Sequence, residues 1–143
     1  MRFMIILKAS TDTEAGVQPS EAMLSEMMKF NEAMVNAGVL LSGEGLQPSA
    51  KGARVRFSGD RRTVIDGPFP ETKELIAGFW LIQVKSKAEA IDWVKRCPHP
   101  LEGRADAEIE IRQVFDPSDF ENATPEMIAE EEALRARSGE GRG

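Results

Sequence analysis

The residues best suited to chemistry lie in one nine-residue segment, residues 66–74, with the sequence DGPFPETKE. It combines an aspartate, a Gly-Pro turn, an aromatic ring and three further charged side chains. Strand-like runs flank it at residues 62–65 and 76–84, so the segment lies where the chain leaves one strand and enters the next. Binding and catalytic residues are frequent at such connections. We therefore take this segment as the primary candidate site.

Asp66 has two interpretations. In a cleft, its carboxyl group could act as a general acid or base. Alternatively, an aspartate before Gly-Pro commonly caps the amides of a turn. The single histidine, His99, lies between two prolines and is the side chain best suited to proton transfer near neutral pH. Asp66 and His99 are therefore the predicted catalytic residues, provided that they face each other across a cleft.

Five further residues are predicted to bind a ligand: Glu44, Pro68, Phe69, Lys73 and Arg112. Glu44 lies between two glycines of a predicted strand, where glycine often marks a bulge or the close approach of another group. A solvent-facing glutamate on an edge strand is the alternative. Lys73 could bind an anion or hold Asp66 ionised, and Phe69 could instead anchor the loop in the core.

Several other chemistries find no support in the sequence. One histidine and one cysteine cannot build a usual zinc site, and no phosphate loop, nucleophile elbow or dinucleotide-binding fingerprint is present. Cys97 lies at the end of a predicted helix, away from the N-terminal dipole that activates a thiol. We therefore predict no metal and no cofactor.

Length and charge limit the class of protein. A chain of 143 residues is predicted to form one domain with a core that needs no disulfide or metal. Its formal net charge of -6 argues against nucleic acid and anionic membranes as partners. No apolar run approaches the roughly 20 residues that span a bilayer. With one cysteine, the expected location is the cytoplasm.

Two segments, residues 3–7 and 76–84, are apolar on both alternating faces, which predicts central strands covered on both sides. Between them, a helix is predicted from an N-cap at Ser20 to about Ala37, ending at Gly38. Its apolar stripe consists of Met23, Met27, Phe30 and Met34, widened by Leu24, Met28 and Val35. The methionines could form an adaptable binding groove, but we favour their filling the core.

A hairpin is predicted at residues 53–58 and 61–65, with Val55 and Phe57 on the face opposite Arg54 and Arg56. Those arginines either clamp an anion or form a solvated face.

A second helix is predicted to begin at a capping box. In this motif the Ser86 side chain accepts a hydrogen bond from the Glu89 amide, and the Glu89 side chain accepts one from the Ser86 amide. The helix stops near Cys97, before Pro98. Residues 108–115 alternate as a final strand.

The composition changes at Pro117, which begins an acidic C-terminal tail, residues 117–143, with seven acidic and three basic residues. Thr124-Pro125 predicts a short helix with a thin apolar side. A frayed, glycine-rich end is expected after it.

The order strand, helix, strand, hairpin, strand, helix, strand predicts an α+β fold of the ferredoxin-like type, an antiparallel sheet with two helices on one face. The central strands also carry apolar side chains on the other face of the sheet, and these need to be buried as well. Because the chain holds no second sheet of that size, the cover is predicted to be another copy, sheet against sheet, in a homodimer.

Residues 66–69, followed by Glu71, Lys73 and Glu74, resemble the signature of the DGPF group of YCII-related proteins. The Ile-Ala-Gly-Phe strand at residues 76–79 also matches. So do the Met-rich first helix, the loop at residues 98–103 and the strand at residues 110–112. The resemblance covers about residues 1–116 and leaves the tail outside.

The resemblance implies a ferredoxin-like, dimeric α+β barrel. Some YCII-related proteins carry a histidine and an aspartate together in a cleft, and DGPF members are often associated by genome context with extracytoplasmic-function sigma factors. The present chain departs from the early His-Asp pattern, because its histidine, His99, lies late in the sequence.

Two functions are open from the sequence. The first is a small-molecule-binding homodimer with a cleft lined by the Asp66 loop and lyase- or isomerase-like proton transfer. The second is a non-enzymatic ligand-binding or regulatory protein. A carboxylate in the cleft and free of amide partners would favour the first, whereas a carboxylate bonded to the turn would favour the second.

Overall fold

A computed structural model describes residues 1–139, which form a mixed α+β structure with antiparallel sheets and four helices in the described part. The strands are β1 (Arg2–Lys8), β2 (Leu40–Gly45), β3 (Ala53–Ser58), β4 (Arg61–Asp66), β5 (Ile76–Gln83) and β6 (Ile109–Gln113). The helices are α1 (Thr11–Glu14), α2 (Glu21–Asn36), α3 (Lys87–Lys95) and α4 (Pro125–Arg137). The α+β class predicted from the sequence is thus confirmed.

The main sheet has four strands in the order β2-β5-β1-β6, and all neighbouring pairs are antiparallel. β1 and β5 are the two central strands, as their apolar character predicted. The hairpin β3–β4 forms a separate two-stranded sheet. The register places Val55 opposite Val64 and Phe57 opposite Arg62, so these four side chains share one face of the hairpin.

The core lies between the main sheet and the helices α2 and α3. Phe3 pairs with Ile82 and Ile5 pairs with Trp80 across the central strands, and all four side chains are buried. From the helices come the buried residues Phe30, Met34 and Ala90. Burying a large apolar side chain such as Phe30 or Met34 contributes about 1.5–3 kcal/mol.

The opposite face of the sheet is only half-buried. Its centre consists of Met4, Ile6, Phe79 and Leu81, which alternate with the core residues along β1 and β5. We call this surface the open sheet face. Charged side chains of Lys8, Glu110 and Arg112 lie toward its edge on β6 and at the end of β1.

α2 begins and ends where the sequence predicts. The Ser20 side chain accepts a hydrogen bond from the Met23 N–H, and Gly38 has a φ of 73°, which suits glycine at a helix end. The predicted widening of the apolar stripe is wrong, because three of its members are exposed: Leu24, Met28 and Val35. A helix on a sheet buries one narrow stripe, and these side chains lie outside it.

α3 shows one half of the predicted capping box. The Ser86 side chain accepts from the Glu89 N–H at 3.1 Å. The Glu89 carboxylate, however, accepts from the Lys85 N–H at 2.9 Å rather than from Ser86. The side chain therefore reaches one residue further back than the standard motif.

Two end regions differ from the prediction or extend beyond it. α1 is a single turn, capped by Ser10, in a segment predicted only as polar. In the tail, α4 starts after Thr124, whose side chain accepts from the Met127 N–H at 3.2 Å, as predicted. The predicted frayed end falls largely on residues 140–143, which lie outside the described residues.

Candidate functional site

Asp66 ends β4, opposite Ala53 of β3, and is exposed. Within residues 1–139 its carboxylate accepts no hydrogen bond and forms no ion pair. The amides of the following turn are therefore not its partners. The structure thus shows neither the buried, cleft-facing carboxylate nor the turn cap that the sequence offered as alternatives.

The segment after Asp66, which we call the DGPF loop (residues 66–71), is held by the turn at Ser49–Lys51. The Gly67 N–H donates to the Gly52 carbonyl at 3.0 Å, and the Phe69 N–H donates to Ser49 Oγ at 2.9 Å. The Gly67–Pro68 peptide is cis. The loop is consequently tied to the chain that precedes the hairpin.

Glu14 of α1 completes this attachment. Its carboxylate accepts from the Ser49 N–H at 3.0 Å and also from the Ser49 hydroxyl. Ser49 thus links Glu14 to the Phe69 amide. A part-buried hydrogen bond to a carboxylate is worth about 1.5–3 kcal/mol, so these contacts fix the position of the loop.

Arg54 of β3 covers the DGPF loop from the hairpin side. Its guanidinium lies 3.8 Å from the centre of the half-buried Phe69 ring and 3.2 Å from the Glu71 carboxylate. The backbone N–H of Glu71 and then the Arg54 guanidinium hold the pKa of Glu71 below its usual value. Lys73 is exposed and forms no ion pair among the described residues.

His99 lies in the loop after α3 and is exposed. Its Nδ1 accepts from the Leu101 N–H at 3.2 Å, and its Nε2 lies 3.3 Å from the Ala105 carbonyl oxygen. A neutral ring protonated at Nε2 satisfies both contacts. In residues 1–139, His99 and Asp66 form no hydrogen bond or ion pair with each other.

Arg112 lies on β6, away from the DGPF loop in the sequence and in the sheet. It donates to Glu110 at 3.2 Å, and Lys8 lies 3.1 Å from the same carboxylate. Hydrogen bonds from Lys8 and then Arg112 hold the pKa of Glu110 below its usual value. Arg112 thus belongs to the charged edge of the open sheet face.

A cavity of about 430 Å³ lies between the first half of α2, the loop at residues 98–104 and the strands β2 and β5. Its wall is mostly apolar and includes Met23, Met27, Trp80 and Leu101. The methionines of α2 therefore divide between two roles. Met34 is buried in the core, Met23 lines the cavity, and Met27 both lines the cavity and packs against the core.

Four charged side chains of the cavity wall have no ion-pair partner within residues 1–139: Asp12, Glu44, Glu102 and Arg104. Arg104 donates to Thr11 Oγ1 at 3.2 Å, which leaves its other N–H groups free. Glu44 is the one predicted ligand-binding residue in this wall. The other predicted site residues lie outside it: Asp66, His99, Pro68, Phe69, Lys73 and Arg112.

Trp80 forms the floor between the cavity and the core. Its indole N–H donates to Asn31 Oδ1 at 2.8 Å, and its ring meets Phe30 edge to face, with the centroids 5.3 Å apart. Gly43 lies beneath the indole, and a Cβ at this position would be 2.6 Å from Trp80 Cδ1. Of the two glycines around Glu44, Gly43 therefore marks a close approach, as the sequence indicated, whereas Gly45 does not. β2 also contains a register shift between Leu40 and Ser42.

Glu102 fastens one rim of the cavity to α2. Its carboxylate accepts from the Ser20 N–H at 2.8 Å and from Ser20 Oγ at 2.7 Å. The backbone N–H and then the hydroxyl of Ser20 hold the pKa of Glu102 below its usual value. Because the folded pKa is depressed, this contact stabilises the fold above the ordinary glutamate pKa and is lost as the pH falls through the folded value.

We expect Glu102→Gln to lower the free energy of unfolding at pH 7 and to lose this effect as the pH falls through the folded pKa of Glu102, below which the wild-type carboxyl is also neutral. Urea unfolding of both proteins across this range measures the difference. Glu32→Gln is the control, because Glu32 is exposed on α2 and its side chain has no hydrogen-bond partner among residues 1–139. A difference that stays constant from pH 7 to pH 3 would contradict the assignment.

Cys97 is half-buried, and burial raises the pKa of its thiol to about 11. The thiolate is the reactive form, so we expect native protein at pH 8 to react with iodoacetamide on the order of 100-fold more slowly than protein in urea. Mass spectrometry of the alkylated chain gives both rates. Equal rates would show that the thiol is accessible and ionised in the folded protein.

Sequence reasoning found the DGPF loop and Glu44 but missed most of the cavity. Asp12 comes from α1, Glu102 and Arg104 come from the loop after α3, and neither segment carries a motif, so tertiary structure alone brings them together. The methionine spacing of α2 was a usable signal, because it raised the possibility of a binding groove. Glu14 carried no sequence signal beyond its place in a polar segment.

Residues 1–139 contain no group of three histidine, cysteine or acidic side chains placed to hold a metal ion. None of the helices in this part of the chain combines the length and apolar character that crossing a membrane requires.

The chain is similar to known proteins over its first 116 residues. The model of the YCII-related domain matches residues 1–116. An uncharacterised protein of Rhizobium meliloti (strain 1021) is 35% identical over 78 residues, which is 54% of the present chain. The aligned part spans 63% of that relative's own length. Since the matched domain covers most of the sequence, the chain belongs to the YCII-related domain family.

Proposed function

We propose that the protein binds a small molecule in the cavity beside α2. The observation that carries this proposal is the cavity itself, about 430 Å³ with a mainly apolar wall. Ligand sites typically measure about 300–1,000 Å³ and combine apolar walls with a few polar groups. Here Met23, Met27 and Trp80 would contact the apolar body of the ligand, and Glu44, Asp12 and Arg104 would orient its polar groups.

The probe for a first test is 8-anilinonaphthalene-1-sulfonate, which has an apolar aromatic body and one anionic group. Met23→Trp fills the cavity, whereas Met28→Trp places the same side chain on an exposed position of the same helix. We expect fluorescence titration to give about tenfold weaker binding for the first variant and unchanged binding for the second. Equal binding by both variants would refute the cavity as the site.

Acid-base catalysis at Asp66 is a second candidate function. One observation favours it, namely that the Asp66 carboxylate has no partner among residues 1–139 and so is free to accept a proton. In the proposed reaction it would abstract a proton from a substrate in a lyase- or isomerase-like step, with His99 as the proton partner. Pro68, Phe69 and Lys73 would hold the substrate beside it.

Deuterium incorporation tests this second function without a known substrate. The protein is incubated in D2O with small molecules extracted from a cell lysate, and mass spectrometry detects deuterium in carbon-bound positions. Loss of incorporation in both Asp66→Asn and His99→Gln would support the reaction. Incorporation that is equal in the wild type and in Asp66→Asn would exclude Asp66 as the base.

We also propose that the fold is ferredoxin-like and that two copies pack sheet to sheet as a dimeric α+β barrel. The open sheet face supports this, because an apolar centre of Met4, Ile6, Phe79 and Leu81 is bordered by charged residues. Protein interfaces commonly have such an apolar core and polar rim. Leu81→Glu should convert a dimer to a monomer in sedimentation, and a wild type that is already monomeric at micromolar concentration would refute the arrangement.

A further inference from the structure

The hairpin β3–β4 carries an uncovered apolar surface. Val55, Phe57 and Val64 lie on one face of the hairpin and are 52%, 69% and 63% exposed. A two-stranded hairpin is marginally stable by itself, and exposed apolar patches commonly mark binding surfaces. A partner that covers these three side chains would therefore also stabilise the hairpin.

The same face carries one positive and one negative charge, at opposite ends. The register places Arg62 beside Phe57 at one end and Asp66 beside Ala53 at the other. The other arginines of the two strands alternate onto the opposite face. We call the surface formed by these two pairs and the two valines between them the hairpin face. It has no net charge, but it has a positive end and a negative end.

Both charged groups of the hairpin face have unused bonding capacity. The Asp66 carboxylate forms no hydrogen bond or ion pair within the described part of the chain. Arg62 donates from Nη1 to two backbone carbonyls near the hairpin turn, and its guanidinium lies 4.4 Å from the centre of the Phe57 ring. Its Nη2 group has no hydrogen-bond partner among the described residues. Arg62 and Asp66 of one hairpin lie four residues apart along β4, about 14 Å, which is too far for an ion pair.

A second copy of the hairpin face matches the first when it is turned about a two-fold axis that crosses both strands at their middle. The strands of the two copies then run in opposite directions, with β3 on β3 and β4 on β4. Phe57 meets Ala53 of the second copy, a large side chain against a small one, and Arg62 meets Asp66. The two valines lie at the centre, each against its own counterpart. Sheets packed face to face lie about 10 Å apart, which an arginine and an aspartate side chain can bridge.

We propose that two copies of the chain associate through their hairpin faces, with Arg62 of each copy paired with Asp66 of the other. The contact is isologous, so both ends are satisfied in a closed pair. Because the face holds only three residue pairs, it is smaller than a standard protein interface, and we expect a weak association. The contact uses neither the open sheet face nor the cavity. It gives Asp66 a partner, and so competes with the role of Asp66 as a catalytic base.

A charge exchange tests the pairing in the full-length protein. One variant carries Arg62→Glu and the other carries Asp66→Arg, so that each sets like charges against each other at both ends of its own pair. In a 1:1 mixture, the introduced glutamate faces the introduced arginine, and the remaining aspartate faces the remaining arginine. Opposite charges then meet at both ends again. Arg56→Glu is the control, because Arg56 lies on β3 but on the opposite face of the hairpin.

Sedimentation equilibrium measures the association, at concentrations well above the micromolar range that tests the open sheet face. We expect each variant alone to associate at least about tenfold more weakly than the wild type. The mixture and Arg56→Glu should associate as the wild type does. If the open sheet face also pairs two copies, the wild type forms tetramers and the variants form dimers. If it does not, the wild type forms dimers and the variants are monomers, so the two interfaces are tested separately.

Removal of the aromatic ring is a second test, which stands even if Asp66→Arg does not fold as judged by circular dichroism. Phe57→Ala removes the side chain that meets Ala53 of the second copy. Phe115→Ala is its control, because Phe115 is 64% exposed but lies outside the hairpin. We expect Phe57→Ala to weaken the association about tenfold and Phe115→Ala to leave it unchanged.

Three results would overturn the proposal. Association that both Arg62→Glu and Phe57→Ala leave unchanged would place the contact elsewhere on the chain. A mixture that associates no better than its two variants alone would refute the pairing of Arg62 with Asp66 between copies. Leu81→Glu protein that is purely monomeric at these higher concentrations would exclude a second copy as the partner of the hairpin face.

Discussion

Gly67→Ala is expected to destabilise the protein by about 1–3 kcal/mol, the usual cost of forcing extra volume into a packed site. A Cβ at this position would lie 1.8 Å from the Ser49 carbonyl oxygen and 2.6 Å from its carbon. Both are backbone atoms, so no side-chain rotation relieves the overlap. The DGPF loop must then move away from the Ser49–Lys51 turn, and the Phe69 N–H must lose its bond to Ser49.

Gly45→Ala is the matched control, because a Cβ at Gly45 meets no atom within 4 Å and the residue does not have a positive φ. We expect urea unfolding to give a clear loss for Gly67→Ala and a change within about 0.5 kcal/mol for Gly45→Ala. If both substitutions lowered the free energy of unfolding equally, the overlap with Ser49 would not be the cause of the effect at Gly67. The same comparison tests whether the motif glycine is structural.

The central elements could be predicted because each carries a local signal. β1 and β5 are apolar on both faces, α2 has an N-cap at Ser20 and a glycine at position 38, and α4 starts at Thr124-Pro125. Alternation along the strand also predicted which face of the hairpin each side chain occupies. Val55 and Phe57 lie on one face, and Arg54 and Arg56 lie on the other. Propensity and periodicity suffice where one segment determines its own structure.

The predictions were wrong where the burial or the hydrogen-bond partner of a residue depends on a second segment of the chain. Leu24 and Met28 fit a helical stripe equally well by spacing, but the sheet covers only one side of α2 and leaves them exposed. Glu89 bonds to Lys85 because the chain enters α3 with that amide within reach. Spacing alone cannot reveal which side of a helix meets its neighbour.

The candidate sites show the same division. The DGPF loop is contiguous, so its residues could be singled out from the sequence. The cavity is assembled from α1, α2, the strands β1, β2 and β5 and several loops, and its charged residues Asp12 and Arg104 are far apart in the chain. The predicted Asp66–His99 pair required two residues that are distant in the sequence to meet in the fold. Both side chains are instead exposed, and no hydrogen bond or ion pair joins them within residues 1–139.

Trp80→Ala is expected to give the largest loss of stability among single substitutions near the cavity, about 3–5 kcal/mol. The indole is 6% exposed, packs edge to face on Phe30 and covers Gly43, so its removal leaves a void between the core and the cavity. A domain of this size is stable by about 5–15 kcal/mol, so the variant should remain folded at low temperature. Urea unfolding at 15 °C measures the loss.

Trp80→Phe separates the two contributions of this side chain. It keeps an aromatic ring against Phe30 but removes the N–H that Asn31 accepts at 2.8 Å. Because solvent can reach the half-buried Asn31, we expect its unpaired oxygen to cost about 1 kcal/mol. A loss as large as that of Trp80→Ala would mean that the Asn31 bond, rather than packing, holds the cavity floor. A small loss for Trp80→Phe would assign most of the stability to the ring, and the same ring would then form the rigid wall against which a ligand packs.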